Sequence, residues 1–148
     1  MLSAMVRRSS ADLLERIIVA GVAITTRALS EARPALDLTF PQWRAMIVVG
    51  ERPDGARVSE VAAGVGVTLP ATSRLLRRLA ARGLVEISGD ELDRRASRAR
   101  LTPAGQSARD AIVAYRRKRI AETVRLAPPA PASLADLADL ADAFDAHR

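Results

Sequence analysis

Nine arginines stand between Arg74 and Arg109 against four acids, so most of the chain's formal charge of +6 lies in about a quarter of its 148 residues. The arginines fall into two groups. Arg74, Arg77 and Arg78 recur at three- and four-residue spacing, which places their guanidinium groups on one side of a helix. In ELDRRASRARLTPAG, Glu91 to Gly105, the acid Asp93 precedes the adjacent pair Arg94 and Arg95, and Arg98 and Arg100 follow at alternate positions. A guanidinium is permanently charged and carries donors in a rigid fork that matches phosphate oxygens or the O6 and N7 of guanine. A concentrated basic region therefore points to a polyanion partner, with nucleic acid ahead of a membrane surface.

Other chemistries lack their residues. The chain has no cysteine, which excludes disulfides, thiolate metal sites and thiol redox sensing. Its one histidine, His147, sits beside the C-terminus, so a histidine-ligated metal or a Ser-His-Asp triad is not expected. No convergent set of nucleophile, base and orienting group is visible, and the reading is that of a non-enzyme needing no cofactor or metal. Asp136, Asp139, Asp142 and Asp145 recur every third residue and read as the wet face of an amphipathic helix.

Four segments must position the arginines. In VSEVAAGVGVTLPATSRLLRRLAARGLVEI, Ser59 is expected to cap a short helix, Gly66 to supply a turn, and Thr68 to cap a longer helix with Pro70 in its first turn. Two short helices joined by a glycine-containing turn form a helix-turn-helix. On the longer one Thr72, Leu75, Leu76 and Leu79 make the buried stripe, which leaves Arg74, Arg77 and Arg78 outward. Thr68, Pro70, Ala71 and Ser73 are small enough for close approach to a groove, and with the three arginines they form the helix's expected DNA-contacting set. Gly83 stops the helix, and LVEI and ASRARL make a β-hairpin, the wing. Asp93, Arg94, Arg95 and Arg98 are its candidate DNA contacts; Arg98 and Arg100 share one strand face, where phosphate contact and solvation both remain open. Gly64 inside the short helix costs about 1 kcal/mol relative to alanine, and Ser97 and Ala99 are small where β-branched residues make a sturdier strand.

Helices flank this unit. Ser9 or Ser10 starts one with an apolar face of Leu13, Leu14, Ile17, Ile18, Gly21, Ile24, Thr25 and Ala28, ending before Pro34. FPQWRAMIVVG reads as the next, with Trp43 as core or pocket wall, before the turn ERPDG. Thr102 and Pro103 cap and open a long helix toward Leu126 with Ala108, Ala111, Ile112 and Tyr115 on one side, and APPAP ends it. Ser133 then caps SLADLADLADAF, with Leu134, Leu137, Leu140, Ala141 and Phe144 forming an apolar face. The expected organisation is residues 1–36 as an N-terminal dimerisation helix, 37–102 as a winged helix-turn-helix, and 103–148 as C-terminal dimerisation helices. The fold class is mainly α with a small β-wing. Apolar faces on the flanking helices are too extensive for the central unit to cover, so a homodimer is expected. With 49% hydrophobic residues but only four aromatic ones, Leu, Val, Ile and Ala fill the core. The longest apolar run, IIVAGVAI, is too short for a bilayer, which takes about 18 residues, and MLSAMVRRSS lacks the order of a secretory signal; a cytoplasmic protein without membrane contact is expected.

LTFPQWRAM, VSEVAAGVGVTLPATSRLLRRLAARGLVE, the DRR of Asp93 to Arg95, and RLTPAG stand in the order and spacing of the MarR family, which the chain resembles from Leu38 to Gly105. The resemblance implies a homodimer gripping palindromic double-stranded DNA, with the helix from Leu69 to Arg82 in the major groove and Arg95 in the minor groove. It further implies a repressor released by a small aromatic or phenolic effector bound between the dimer helices and the winged helix. The wing departs from the family pattern: Asp90 and Glu91 add negative charge, and no proline precedes DRR, so weaker wing contacts are expected. Two other readings of the function were weighed: an effector-independent activator competing with nucleoid proteins, and a winged-helix protein-interaction module without DNA binding.

Overall fold

The helix starts follow from side chains that satisfy otherwise orphaned backbone donors. At Thr39 the hydroxyl accepts from the Gln42 N–H at 3.4 Å and the Gln42 side-chain oxygen accepts from the Thr39 N–H at 2.9 Å. At Thr68 the hydroxyl accepts from the Ala71 N–H at 3.4 Å. The Thr102 hydroxyl likewise accepts from the Gly105 N–H, at 3.0 Å. The computed structural model describes residues 10–32, 36–89 and 96–126. Its elements are α1 (Ser10–Glu31), α2 (Phe40–Gly50), β1 (Ala56–Arg57), α3 (Val58–Val65), α4 (Leu69–Ala81), β2 (Val85–Gly89), β3 (Ser97–Leu101) and α5 (Pro103–Leu126). This is the mainly α winged helix expected from the sequence.

Two local expectations are corrected. Ser59 does not cap α3: the helix begins at Val58, two residues earlier than a Ser59 cap would place it, Arg57 is the cap residue, and the Glu60 carboxylate accepts its backbone N–H at 2.7 Å. The sheet also has a third strand. β1, only two residues long, pairs antiparallel with β3, giving the order β1-β3-β2 with Ala99 opposite both Ala56 and Ile87. Ala99 is fully buried in this middle strand, and a larger side chain there would press on neighbours from both sides. The small residue that weakens intrinsic strand propensity thus fits its packing.

One buried cluster joins the elements. It takes Ala28 and Leu29 from α1, Trp43, Met46 and Val49 from α2, Val61 from α3, Leu76 and Leu79 from α4, and Ala108 and Ile112 from α5. The long helices therefore share a core with the helix-turn-helix. Gly66 ends α3 at φ 78°, the left-handed conformation that glycine adopts without a Cβ penalty. Toward its N-terminus α1 loses its cover: Ile17 is 62% exposed, and Ile18, Val19 and Val22 are exposed too. α1 ends at Glu31, before Pro34 as expected, while the cap expected at Ser9 and the whole stretch from APPAP through the Ser133-capped helix lie outside the described residues.

Two glycines are dictated by close packing. A Cβ at Gly64 would stand 2.7 Å from Val48 Cγ2, so the residue that costs helix propensity is what lets α3 lie against α2. A Cβ at Gly105 would stand 1.9 Å from the Leu84 carbonyl oxygen, a backbone atom with no rotamer to escape into. Gly64→Ala, stabilising by about 1 kcal/mol on propensity alone, is expected to destabilise by about 1–3 kcal/mol through overpacking. Gly105→Ala is expected to cost more. Urea unfolding measures both; a favourable coupling between Gly64→Ala and Val48→Ala in a double-mutant cycle confirms the clash, and a more stable Gly64→Ala contradicts it.

Candidate nucleic-acid interface

The buried stripe of α4 determines what its other side presents. Thr72, Leu76 and Leu79 are fully buried, which turns Pro70, Arg74, Arg77 and Arg78 to solvent and leaves Ala71 and Ser73 half-buried. Thr72 is satisfied inside the helix, its hydroxyl donating to the Thr68 carbonyl at 3.0 Å. Among the described residues no acid pairs with Arg74, Arg77 or Arg78. Arg77 Nε donates only to the Ser73 carbonyl of its own helix, at 3.3 Å. The first turn of α4 has no acid either, so nothing there opposes the positive end of the helix dipole. Arg74 and Arg78 border a cleft of about 300 Å³ opposite Thr39, Pro41 and Gln42 at the start of α2. Thr68, Pro70, Ala71, Ser73, Arg74, Arg77 and Arg78 thus lie together on or beside one helix, while Asp93, Arg94 and Arg95 lie outside the described residues, as do Asp90 and Glu91.

Arg98 has an intramolecular partner. Its Nη1 donates to the Gly55 carbonyl at 2.9 Å, and the neighbouring Arg100 Nε donates to the Asp54 carbonyl at 2.9 Å. Both guanidiniums tie β3 to the turn between α2 and β1. Sequence reasoning placed the two on one strand face but did not see β1, and so missed the carbonyls that β1 brings alongside.

A second polar constellation sits where α1, α2 and α5 meet. The Arg116 guanidinium lies 4.9 Å from the centroid of the Trp43 ring, and Phe40 packs against that ring at 5.8 Å with a 58° tilt. Burial lowers the Arg116 pKa from its ordinary value, because the charged form loses water. Trp43 Nε1 and Arg116 Nε are buried without a hydrogen-bond partner among the described residues. Nearby, the Tyr115 hydroxyl donates to the Glu31 carboxylate, linking α5 to the end of α1. That hydrogen bond raises the Tyr115 pKa, with desolvation and the Glu31 charge adding to it. Beside α1, a cleft of about 390 Å³ runs between Leu29, Ser30, Leu38 and Phe40.

Among the described residues no group of three or more histidine, cysteine or acidic side chains converges as a metal site. None of the described helices is long and apolar enough to cross a membrane.

A helix-turn-helix that displays arginines, a three-stranded sheet and long flanking helices together define a winged-helix architecture. Residues 36–96 match the family model described as MarR family. The fold is close to that of RV1404 from Mycobacterium tuberculosis, at 23% identity and a TM-score of 0.74 over 95% of this chain and 96% of that one. A MarR-family transcriptional regulator from Rhodococcus sp. RHA1 aligns at 19% identity and a TM-score of 0.66, covering 93% of each chain. CouR from Rhodococcus jostii RHA1, solved bound to p-coumaroyl-CoA, aligns at 21% identity and a TM-score of 0.70 over 96% of this chain and 93% of that one. No curated protein sequence matches the chain.

Arg98→Ala is expected to lower stability by about 0.5–1.5 kcal/mol through the lost hydrogen bond to Gly55, with the salt dependence of any DNA binding unchanged. Urea unfolding beside a salt-resolved titration checks this. A salt slope shallower by about one at unchanged stability would instead make Arg98 a phosphate contact.

Proposed function

We propose that the chain is a sequence-specific DNA-binding regulator, a homodimer that grips palindromic double-stranded DNA and represses transcription until a small effector releases it. The observation that carries this reading is the outward face of α4, where Arg74, Arg77 and Arg78 are exposed and unpaired among the described residues within a MarR-type winged helix. Guanidiniums held there without acidic partners need no ion pair broken before they meet phosphate or guanine. Arg74, near the N-terminal end of the recognition helix, takes the base-reading role; Arg77 and Arg78 divide between phosphate contact and solvation. Arg95, oriented by Asp93 and assisted by Arg94, takes the minor-groove role that the DRR motif implies.

Exposed apolar residues on α1 support the dimer, because Ile17, Ile18, Val19 and Val22 on one chain need a second surface to leave water. For the effector, the support is the Phe40, Trp43 and Arg116 group, with two buried donors left over, beside a cleft on α1 and α2. A small aromatic molecule with an acceptor suits that chemistry. Two similar structures have aromatic ligands in their descriptions: CouR with p-coumaroyl-CoA, and Bordetella bronchiseptica BpsR, whose DNA binding is regulated by 6-hydroxynicotinic acid. Release requires the effector to bind the DNA-incompetent arrangement more tightly, since equal affinity for both shifts nothing.

Selection of bound genomic fragments yields the operator, and titration of variants on it tests the roles. Arg74→Ala is expected to lose about 1–3 kcal/mol and to relax preference at particular major-groove bases. Arg95→Ala is expected to weaken binding mainly on A·T-rich flanks, whose narrow groove concentrates negative potential, and Asp93→Asn to mimic it in part. Equal losses for Arg95→Ala on A·T-rich and G·C-rich flanks would reduce it to a phosphate contact. Tighter binding by Asp93→Asn would remove the orienting role.

A further inference from the structure

The recognition helix carries an apolar side chain that its folding does not explain. Leu69, the first residue of α4, is 52% exposed, and Val67 just before it is 36% exposed. Helix-start chemistry is complete without either: Thr68 caps the first turn and Pro70 fixes its backbone. A first-turn position gains stability from an acid through the helix dipole. Leucine forgoes that gain and leaves apolar surface in water. The apolar groups exposed on α1, by contrast, lie along one long helix that awaits a partner chain.

The surroundings of Leu69 are shaped for close approach. Ser59 and Ala63 of α3, with Gly66 and Thr68 of the turn, line a shallow open depression beside it. Arg74 and Arg77, further along α4, supply charge toward a polyanion. In a helix-turn-helix the N-terminal residues of the second helix are those that reach base edges. A leucine has no donor or acceptor to offer a base, and the one apolar group that the standard bases present in the major groove is the thymine C5-methyl.

We propose that Leu69 is a specificity-determining residue that packs on the C5-methyl of a thymine in each half-site. The inference rests on the DNA-binding reading above and adds a residue and a base to it.

The test replaces each thymine of the selected operator in turn by deoxyuridine, which removes the methyl and leaves pairing intact. Affinities are measured at constant salt for the full-length wild type, Leu69→Ala and Leu69→Met. One thymine position per half-site is expected to weaken wild-type binding about fourfold when demethylated, the effect of one methyl-sized group, and about fifteenfold when both half-sites are changed. Leu69→Ala is expected to bind thymine and deoxyuridine operators equally, near the wild-type affinity for the demethylated one. Leu69→Met, which keeps an apolar side chain of similar reach, retains the discrimination and shows that the alanine result is not a folding defect. The proposal is overturned if no position discriminates in the wild type, or if Leu69→Ala keeps the full ratio, as it does when Leu69 instead covers a protein surface. If the wild type binds no operator at all, the DNA-binding reading falls as well, so the two failures are distinguishable.

Discussion

The narrowest constraint in the molecule is the contact between the Leu84 carbonyl and the backbone of Gly105, where a single added carbon would sit 1.9 Å from the oxygen. Around it the Thr102 N–H donates to the same carbonyl at 3.1 Å, and the Thr102 hydroxyl donates to the Gly83 carbonyl at 2.6 Å. One short segment thus joins the end of α4, the start of β2 and the start of α5. Leu79 of α4 and Ile112 of α5 are both fully buried in the shared core. The end of α4 and the start of α5 are therefore held together through Gly83 and Leu84.

That linkage gives a physical route for regulation. Arg116 and Tyr115 lie on α5, and their partners Trp43 and Glu31 lie on α2 and α1. A molecule that entered among these groups would change how the three helices pack, since packed interfaces rearrange between discrete arrangements more readily than they deform. Moving such an equilibrium from about 1:99 to about 99:1 takes about 5.5 kcal/mol of differential affinity. Trp43 Nε1 and Arg116 Nε, buried donors without partners among the described residues, are chemistry from which that difference could be drawn.

Much of this was legible in the sequence, because the strongest signals are local. Thr68 with Pro70, Gly66, and the period of Thr72, Leu76 and Leu79 specify the helix-turn-helix within some twenty residues, and the structure has each where the spacing puts it. What escaped depends on partners distant in the chain. β1 is two residues, too short to show a period, and exists because Ala99 and Arg98 lie beside it. Ser59 looked like a cap by residue type, yet Glu60 reaches the Arg57 N–H and the helix starts earlier. The Thr39-to-Gln42 capping box at the start of α2 is a local signal, a threonine three residues before a glutamine, that the apolar period of the helix does not reveal. Gly64 looked like a cost until Val48 was seen against it, and the hydrogen bond from Arg98 to the Gly55 carbonyl depends on a turn more than forty residues back in the chain.

The central claim is that the exposed arginine face, doubled by dimerisation, binds operator DNA. The most direct measurement is the affinity and stoichiometry of the full-length chain on its selected palindrome across about 50–200 mM salt, beside a scrambled duplex of equal length. By the roles assigned above, Arg77 and Arg78 of each chain are the phosphate contacts, four per dimer at most, which sets an upper slope of about −4 in log affinity against log salt. The account predicts a slope between about −2 and −4 on the palindrome, two chains per duplex, and much weaker binding to the scrambled sequence. An affinity that stays flat with salt, or that is the same on both duplexes, would contradict it.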